Sequence, residues 1–412
     1  MPTDPSTRGR SPSRWAVFKQ RDFSAYAASR LLSWLANQML VVGIGWLVYD
    51  LTGSALALGF AGLATFLPAV TLALVAGEVA DRVDRRLILV ASLGIMTVAS
   101  AVLAANALTG TSDTSNIYAV LVVFGAARAF GFPASQALLP NLVPRQQFAD
   151  AVALNSGAGQ IATVSGPALG GLLYAFGPAV VFGVAALFQL AALLLVWTIR
   201  PRPMATRSKT NWASLVAGIA FIRSRPAILG SISLDLFAVL LGGATALLPI
   251  YARDILQVGP TGLGVLRSMP ALGALAMALV LAWQPLTRRS GHALFAAVAM
   301  FGVATIVFGF STSLYLSLGA LFVLGAADMV SVYIRSTLVQ ADTPDDMRGR
   351  VSAVNSVFIG ASNELGEFES GVLAALTSTV AAVVIGGIGT LIVALLWMRL
   401  FPSLRDRDRL VG

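Results

Sequence analysis

Apolar residues in this chain come in unbroken runs and do not alternate with polar ones. Twelve runs approach or exceed the ~20 residues that carry a helix across a ~30 Å hydrocarbon core. They fall near Phe23–Tyr49, Ala55–Val79, Leu87–Leu108, Asn116–Leu138, Ala151–Phe176 and Pro178–Ile199. After a polar gap come Pro226–Tyr251, Pro260–Trp283, Ala293–Phe310, Leu314–Val339, Val351–Thr377 and Val380–Leu400. The alternating pattern of barrel strands is absent, and lipid tolerates no unpaired backbone, so each run reads as a helix. The expected fold is an all-α membrane protein of twelve transmembrane helices in two parallel six-helix halves. Its parts are a cytoplasmic tail (1–22), a first half (23–199), a cytoplasmic linker (200–225), a second half (226–400) and a C-terminal tail (401–412). Within the linker, apolar Trp212–Ile222 reads either as an interfacial helix or as a strut tying the halves together.

Composition strengthens this reading. The chain is 57% hydrophobic and 11% charged, against about 25% charged in a soluble domain. Gly is abundant (39 residues), as close-packed membrane helices require. The charges that remain set an orientation. Among 28 basic residues, only Arg253 falls in a loop on the outer side, and Arg30, Arg128, Arg267 and Arg335 lie within spans. The rest occupy alternate loops and both tails, which places both termini in the cytoplasm. The net charge of +9 is thereby explained without nucleic acid as a partner. There is no Cys and one His, His292, which excludes thiolate chemistry and leaves no metal site to expect. An intramembrane enzyme is excluded on the same grounds.

The chain also repeats itself. Leu121–Arg128 (LVVFGAAR) matches Leu321–Asp328 (LFVLGAAD) at a shift of 200, as Ala153–Ser156 matches Ala353–Ser356. Nearer the start of each half the shift lengthens, and Leu58-Gly59 aligns with Leu263-Gly264. An even number of spans per copy makes the halves parallel, with the substrate between them near the membrane midplane.

Ionisable residues inside a membrane usually face a cavity. They occur on spans 1, 4, 7, 8, 10 and 11 and are missing from the interiors of spans 3, 6, 9 and 12, which are the expected lipid-facing struts. The cavity wall is therefore expected to include Tyr26, Arg30, Asn37, Arg128, Asp235, Asp328, Arg335 and Asn363. Arg128 and Asp328 are equivalent by the repeat and are expected to face each other across the cavity. Arg267 and Glu364 are expected to share a polar network nearer the outer surface. No GxxxxGK[ST] motif occurs, so no ATP site is expected, and no cofactor beyond an ion gradient. The proton carrier is expected among the carboxylates Asp328, Asp235, Glu364 and Glu367, since a low-dielectric wall favours the neutral form.

These residues resemble the major facilitator superfamily over nearly the whole chain. Gly77-Glu-Val-Ala-Asp81-Arg82-Val-Asp84-Arg85-Arg86 is similar to its signature G-x-x-x-D-R-x-x-R-R loop, with Asp84 where Gly is common. The resemblance implies a cytoplasmic gate formed by Gly77, Asp81, Arg82, Arg85 and Arg86, in which Asp81 caps the start of span 11. Gly166-Pro167-Ala-Leu-Gly170-Gly171 resembles the G-P-x-x-G-G motif of exporters and antiporters. Pro133–Pro140, Thr343–Ser356 and Ser362–Gly371 are similar to the bacterial branch holding enterobactin exporters and macrolide-efflux-like proteins. That branch implies proton-driven export of a siderophore or drug-like molecule by a monomer in the bacterial inner membrane. Import, facilitated diffusion and a non-transporting sensor remain open alternatives.

Overall fold

The computed structural model describes residues 14–200, 212–286 and 288–409 and is helical throughout, with no strand among the described residues. The chain runs back and forth between two ends. Its first and last described residues lie at one, called here the terminal end, and its short loops at 53–54, 175–177 and 377–378 lie at the other, the far end.

The first group comprises α1 (Arg21–Thr52), α2 (Ala55–Thr71), α3 (Ala73–Arg82), α4 (Arg85–Thr109), α5 (Thr114–Leu138), α6 (Phe148–Tyr174) and α7 (Pro178–Trp197). A short α8 (Trp212–Ser224) packs its Gly218 against the Arg350 backbone of α14. The second group comprises α9 (Pro226–Leu241), a single turn α10 (Leu248–Ile250), α11 (Gly259–Trp283), α12 (Ser290–Phe310), α13 (Leu314–Ala341), α14 (Asp345–Leu376) and α15 (Thr379–Leu400). One last turn, α16 (Pro402–Arg405), ends the described chain.

Nine of the described helical stretches are long and apolar enough to cross a membrane. The other three expected spans show why polarity and continuity matter. The second breaks at Leu72 into α2 and α3, four residues beyond Pro68, whose ring cannot sit in a regular helix interior without cost. The fifth and eleventh, α6 and α14, are long enough but carry the polar side chains of the central wall. The seventh is also not one continuous helix. It unwinds at Gly242-Gly243 and resumes through α10 into a π-helical turn at Tyr251–Ile255. A Cβ on Gly243 would strike the Gly366 carbonyl and lie 2.5 Å from Ser370 Oγ, so the break lets α14 approach the backbone directly. Irregular backbone at membrane depth is tolerated where protein covers it.

The apolar struts pair off, α4 against α7 and α12 against α15. The two groups meet at two glycine crossings in the far half. At one, Gly171 of α6 lies against Gly264 of α11, where an added Cβ would be 2.9 Å from the facing Cα and would collide with the Pro260 carbonyl. At the other, Gly371 of α14 lies against Gly59 of α2, again 2.9 Å from the facing Cα. The repeat exchanges these contacts: Gly171 corresponds to Gly371, and Gly59 to Gly264. Two-fold symmetry thus closes the far end with backbone on backbone.

Candidate functional site

Below the crossings lies a cavity of about 640 Å³, within the range of small-molecule sites. The first group supplies most of its wall. Arg30, Ser33 and Asn37 project from α1 at helical spacing, joined by Trp34 and Gln38. Arg128 and Phe124 come from α5, Ser92 and Met96 from α4, and Thr163 from α6. The second group contributes Ala246 and Pro249 near its irregular turn, Arg267 from α11, and Glu364 and Glu367 from α14. Phe132, one turn beyond Arg128 toward the terminal end, also lines the cavity and is 57% exposed.

Two ion pairs cross this space. Arg128 Nη1 lies 3.4 Å from Glu364 Oε1, joining the first group to the second. Arg267 Nη2 lies 3.7 Å from Glu367 Oε1 and Nη1 donates to the Thr245 carbonyl at 3.3 Å. Arg267 and Glu364 thus belong to one network, through the adjacent turn of α14. The far end carries a second link between groups. There Arg253 lies 3.1 Å from Asp50 and donates to the Tyr49 carbonyl, while the Tyr49 hydroxyl donates to Asp254.

The expected wall needs several corrections. Arg128 does not face Asp328, because Glu364 reaches it first. Equivalence by the repeat relates backbone positions and leaves open where each side chain reaches and which partner it meets. Asp328 lies inside the second group beside Asp235 and Ser331, around a pocket of about 10 Å³, room for about one water. Asp235 is 2.5 Å from Arg335 in a pair only 8% and 7% exposed, so both are occupied within the α9–α13 packing and do not line the cavity. Tyr26 is fully buried and donates to the Ser135 carbonyl at 2.9 Å, bracing α1 to α5. Asn363 is exposed and donates to Ile359 of its own helix. At ~100° per residue it lies about 70° round α14 from the midline of Glu364 and Glu367. Sequence reasoning missed Trp34, Gln38 and Thr65. Trp34 had a signal, since it sits one turn from Arg30.

The signature loop engages its own group. Arg82 pairs with Glu78 at 2.6 Å, Arg85 donates to the Ala137 carbonyl at 3.1 Å, and Arg86 donates to the Trp197 carbonyl with its guanidinium over the Trp197 ring. Asp84 caps α4, accepting from Arg86 N at 2.9 Å. Gly77 has nothing near where a Cβ would be. The Asp81 side chain lies outside the described residues. In the G-P-x-x-G-G motif of α6, Gly166 and Gly170 admit Gln38 and Met39 of α1, and the Pro167 carbonyl faces Gly264. The motif therefore seats α6 against both groups at once.

The buried pair makes a testable claim about stability. Arg335→Ala leaves Asp235 and Asp328 with no cation, and removing one partner of a buried pair costs ~3–5 kcal/mol. Adding Asp235→Asn should recover a large part of it. Thermal unfolding of the purified variants reads both, and a single variant as stable as wild type would remove the brace.

Residues 12–409 match the profile of the family described as transmembrane secretion effector, a branch of the major facilitator superfamily. The chain belongs to that family. Among its relatives, the enterobactin exporter EntS of Citrobacter koseri is 26% identical over 385 residues, covering 93% of this chain and 92% of the relative. The EntS of Salmonella typhimurium is 25% identical, covering 93% of each. A solved bacterial homologue of the human lysosomal transporter Spinster superposes with a TM-score of 0.73 at 15% identity, covering 97% of this chain and 100% of that one. The nucleoside transporter NupG gives 0.72 at 13%, covering 92% and 99%. The protein is a major facilitator transporter of the branch that includes enterobactin exporters, a multi-pass protein of the bacterial inner membrane, and not an enzyme.

Proposed function

We propose that this transmembrane secretion effector exports a small siderophore-like or drug-like molecule by alternating access, driven by proton antiport and working as a monomer. Twelve spans in two parallel halves, with both termini cytoplasmic, make the terminal end the cytoplasmic one. The observation that carries the reading is the cavity closed at its far end by two symmetric glycine crossings, with its lining residue Phe132 exposed on the terminal side. In this conformation a cytoplasmic molecule can enter. Opening the crossings and closing the signature loop side, with Asp81 against the start of α14, would release it outside. The names of the relatives favour export, as does the G-P-x-x-G-G motif of α6 at one crossing.

The proton has a place to act in the second group. Two carboxylates, Asp235 and Asp328, line one small pocket, and the guanidinium of Arg335 pairs with Asp235. Asp235 is held by the ion pair, so Asp328 is the group whose charge is left over, and a proton on it balances the cluster. Glu364 and Glu367 are the next candidates, since each already faces an arginine.

Inverted membrane vesicles test the whole reading, with apo-enterobactin and a macrolide as probes. An acidic interior should drive accumulation of at least one above equilibrium, and a protonophore should collapse it. Asp81→Asn should slow that uptake with membrane insertion unchanged. Equilibration with no response to the gradient would make the protein a facilitative carrier.

A further inference from the structure

Three arginines and two glutamates line the cavity, and each glutamate is within reach of its own arginine. One positive charge is left over, and it sits on Arg30. That side chain is only 8% exposed, about 14 Å from the terminal end of α1 at 1.5 Å per residue. It has no ion pair among the described residues, and its Nε is buried without any hydrogen-bond partner. Its guanidinium lies 4.1 Å from the centroid of the Trp34 ring, one turn further along α1. Trp34 is itself seated on α6, where the missing side chain of Gly159 leaves room, a Cβ there being 3.1 Å from the indole. Ser33 and Asn37 flank the pair on the same face, and Phe124 and Phe132 complete an aromatic-rich wall.

A buried guanidinium with donors unused is costly unless something accepts from it. Among the described residues that of Arg30 has no acceptor, although both other cavity arginines have one. Stacking on Trp34 fixes the plane of the fork and leaves its edge free for a planar oxyanion. The geometry points to a substrate subsite at Arg30 and Trp34 for an organic anion, with an acidic oxygen group on the guanidinium and an aromatic body against the indole. This deepens the transport reading by giving the class of molecule carried, and it rests on the same cavity.

Equilibrium dialysis against purified full-length protein tests it without a gradient, so it can fail independently of export. The probes share one ring system and differ in charge: 1-naphthoate, neutral 1-naphthamide and 1-naphthylmethylammonium. Wild type should bind naphthoate roughly tenfold or more tighter than the amide, and the ammonium weakest. Arg30→Gln should remove that preference, bringing naphthoate and the amide to similar affinity. Arg30→Lys should restore part of it, since charge returns without the planar fork. Equal affinity for the three probes in wild type, tighter binding of the ammonium, or no naphthoate binding at millimolar concentration would each overturn the assignment. The wild-type comparison decides even if a variant fails to fold. If vesicles show no coupled export while naphthoate is still preferred, the subsite stands and the transport reading falls.

Discussion

Asp328→Asn is expected to abolish accumulation against a gradient while leaving substrate binding, and exchange down its own gradient, measurable. The reason is a count of charges in a confined space. Asp235 takes the short bond to Arg335, whose Nε donates to Ser331 at 3.2 Å. Asp328 is left in the same cluster with space for about one water and no cation of its own. Ionised, it places a second negative charge beside one guanidinium in a low-dielectric wall. Neutral, it leaves the cluster balanced. Protons from the acidic outer side would load it and the more alkaline cytoplasm would unload it, once per cycle. Asparagine copies the loaded form permanently, so the conformational change survives and its link to the proton is lost. The measurement is vesicle accumulation with and without a pH gradient, together with counterflow at equal pH. Unchanged gradient dependence in the variant would move coupling to Asp235, Glu364 or Glu367.

Gly171→Val is expected to hold the far end open and to bring transport close to background. Its Cβ would collide with the Pro260 carbonyl while lying 2.9 Å from Gly264 Cα. Backbone cannot give way as a flexible side chain can, so the closed crossing and the new side chain are incompatible. Gly371→Val at the symmetric crossing should behave alike, because a Cβ there meets the Ala55 carbonyl and Gly59 Cα at 2.9 Å. Gly157→Val is the control, with nothing within 4 Å of the added atom. The chain has no cysteine, so a single Thr65→Cys on the cavity wall reports access cleanly. An impermeant maleimide added from the outside should label it in the Gly171→Val background far faster than in wild type. Labelling that stays slow, with normal transport, would show that the crossings do not form the outer gate.

Much of this was legible in the residues. Runs of apolar side chains located the helices to within a few residues, and the repeat paired Leu58-Gly59 with Leu263-Gly264, although nothing in that match marked these glycines as contacts between the halves. Charge-free runs marked the struts α4, α7, α12 and α15. What sequence did not carry was azimuth and reach. Arg128 and Asp328 share a position in the repeat, yet the long glutamate of α14 arrives at Arg128 first. Asp235 looked like a wall residue because nothing local reveals that Arg335, a hundred residues away, occupies it. The unwinding at Gly242-Gly243 had its signal in the paired glycines, but an apolar run reads as one helix until the packing of Gly366 shows why it stops.

The distribution of charge pairs has a mechanical consequence. The 2.5 Å bond between Arg335 and Asp235 is internal to the second group and nearly dry. The pairs that join one group to the other are wetter, with the Arg128 side chain 60% exposed and those of Arg253 and Asp50 38% and 49% exposed. Exposed pairs contribute about 0.2–1 kcal/mol each, which is comparable to thermal energy. Strong polar bonds therefore stiffen the rigid bodies, and weak ones sit on the faces that must part. In the proposed alternating-access cycle the electrostatic toll per turnover would be small, and the pace would fall to the peeling apart of backbone at the glycines.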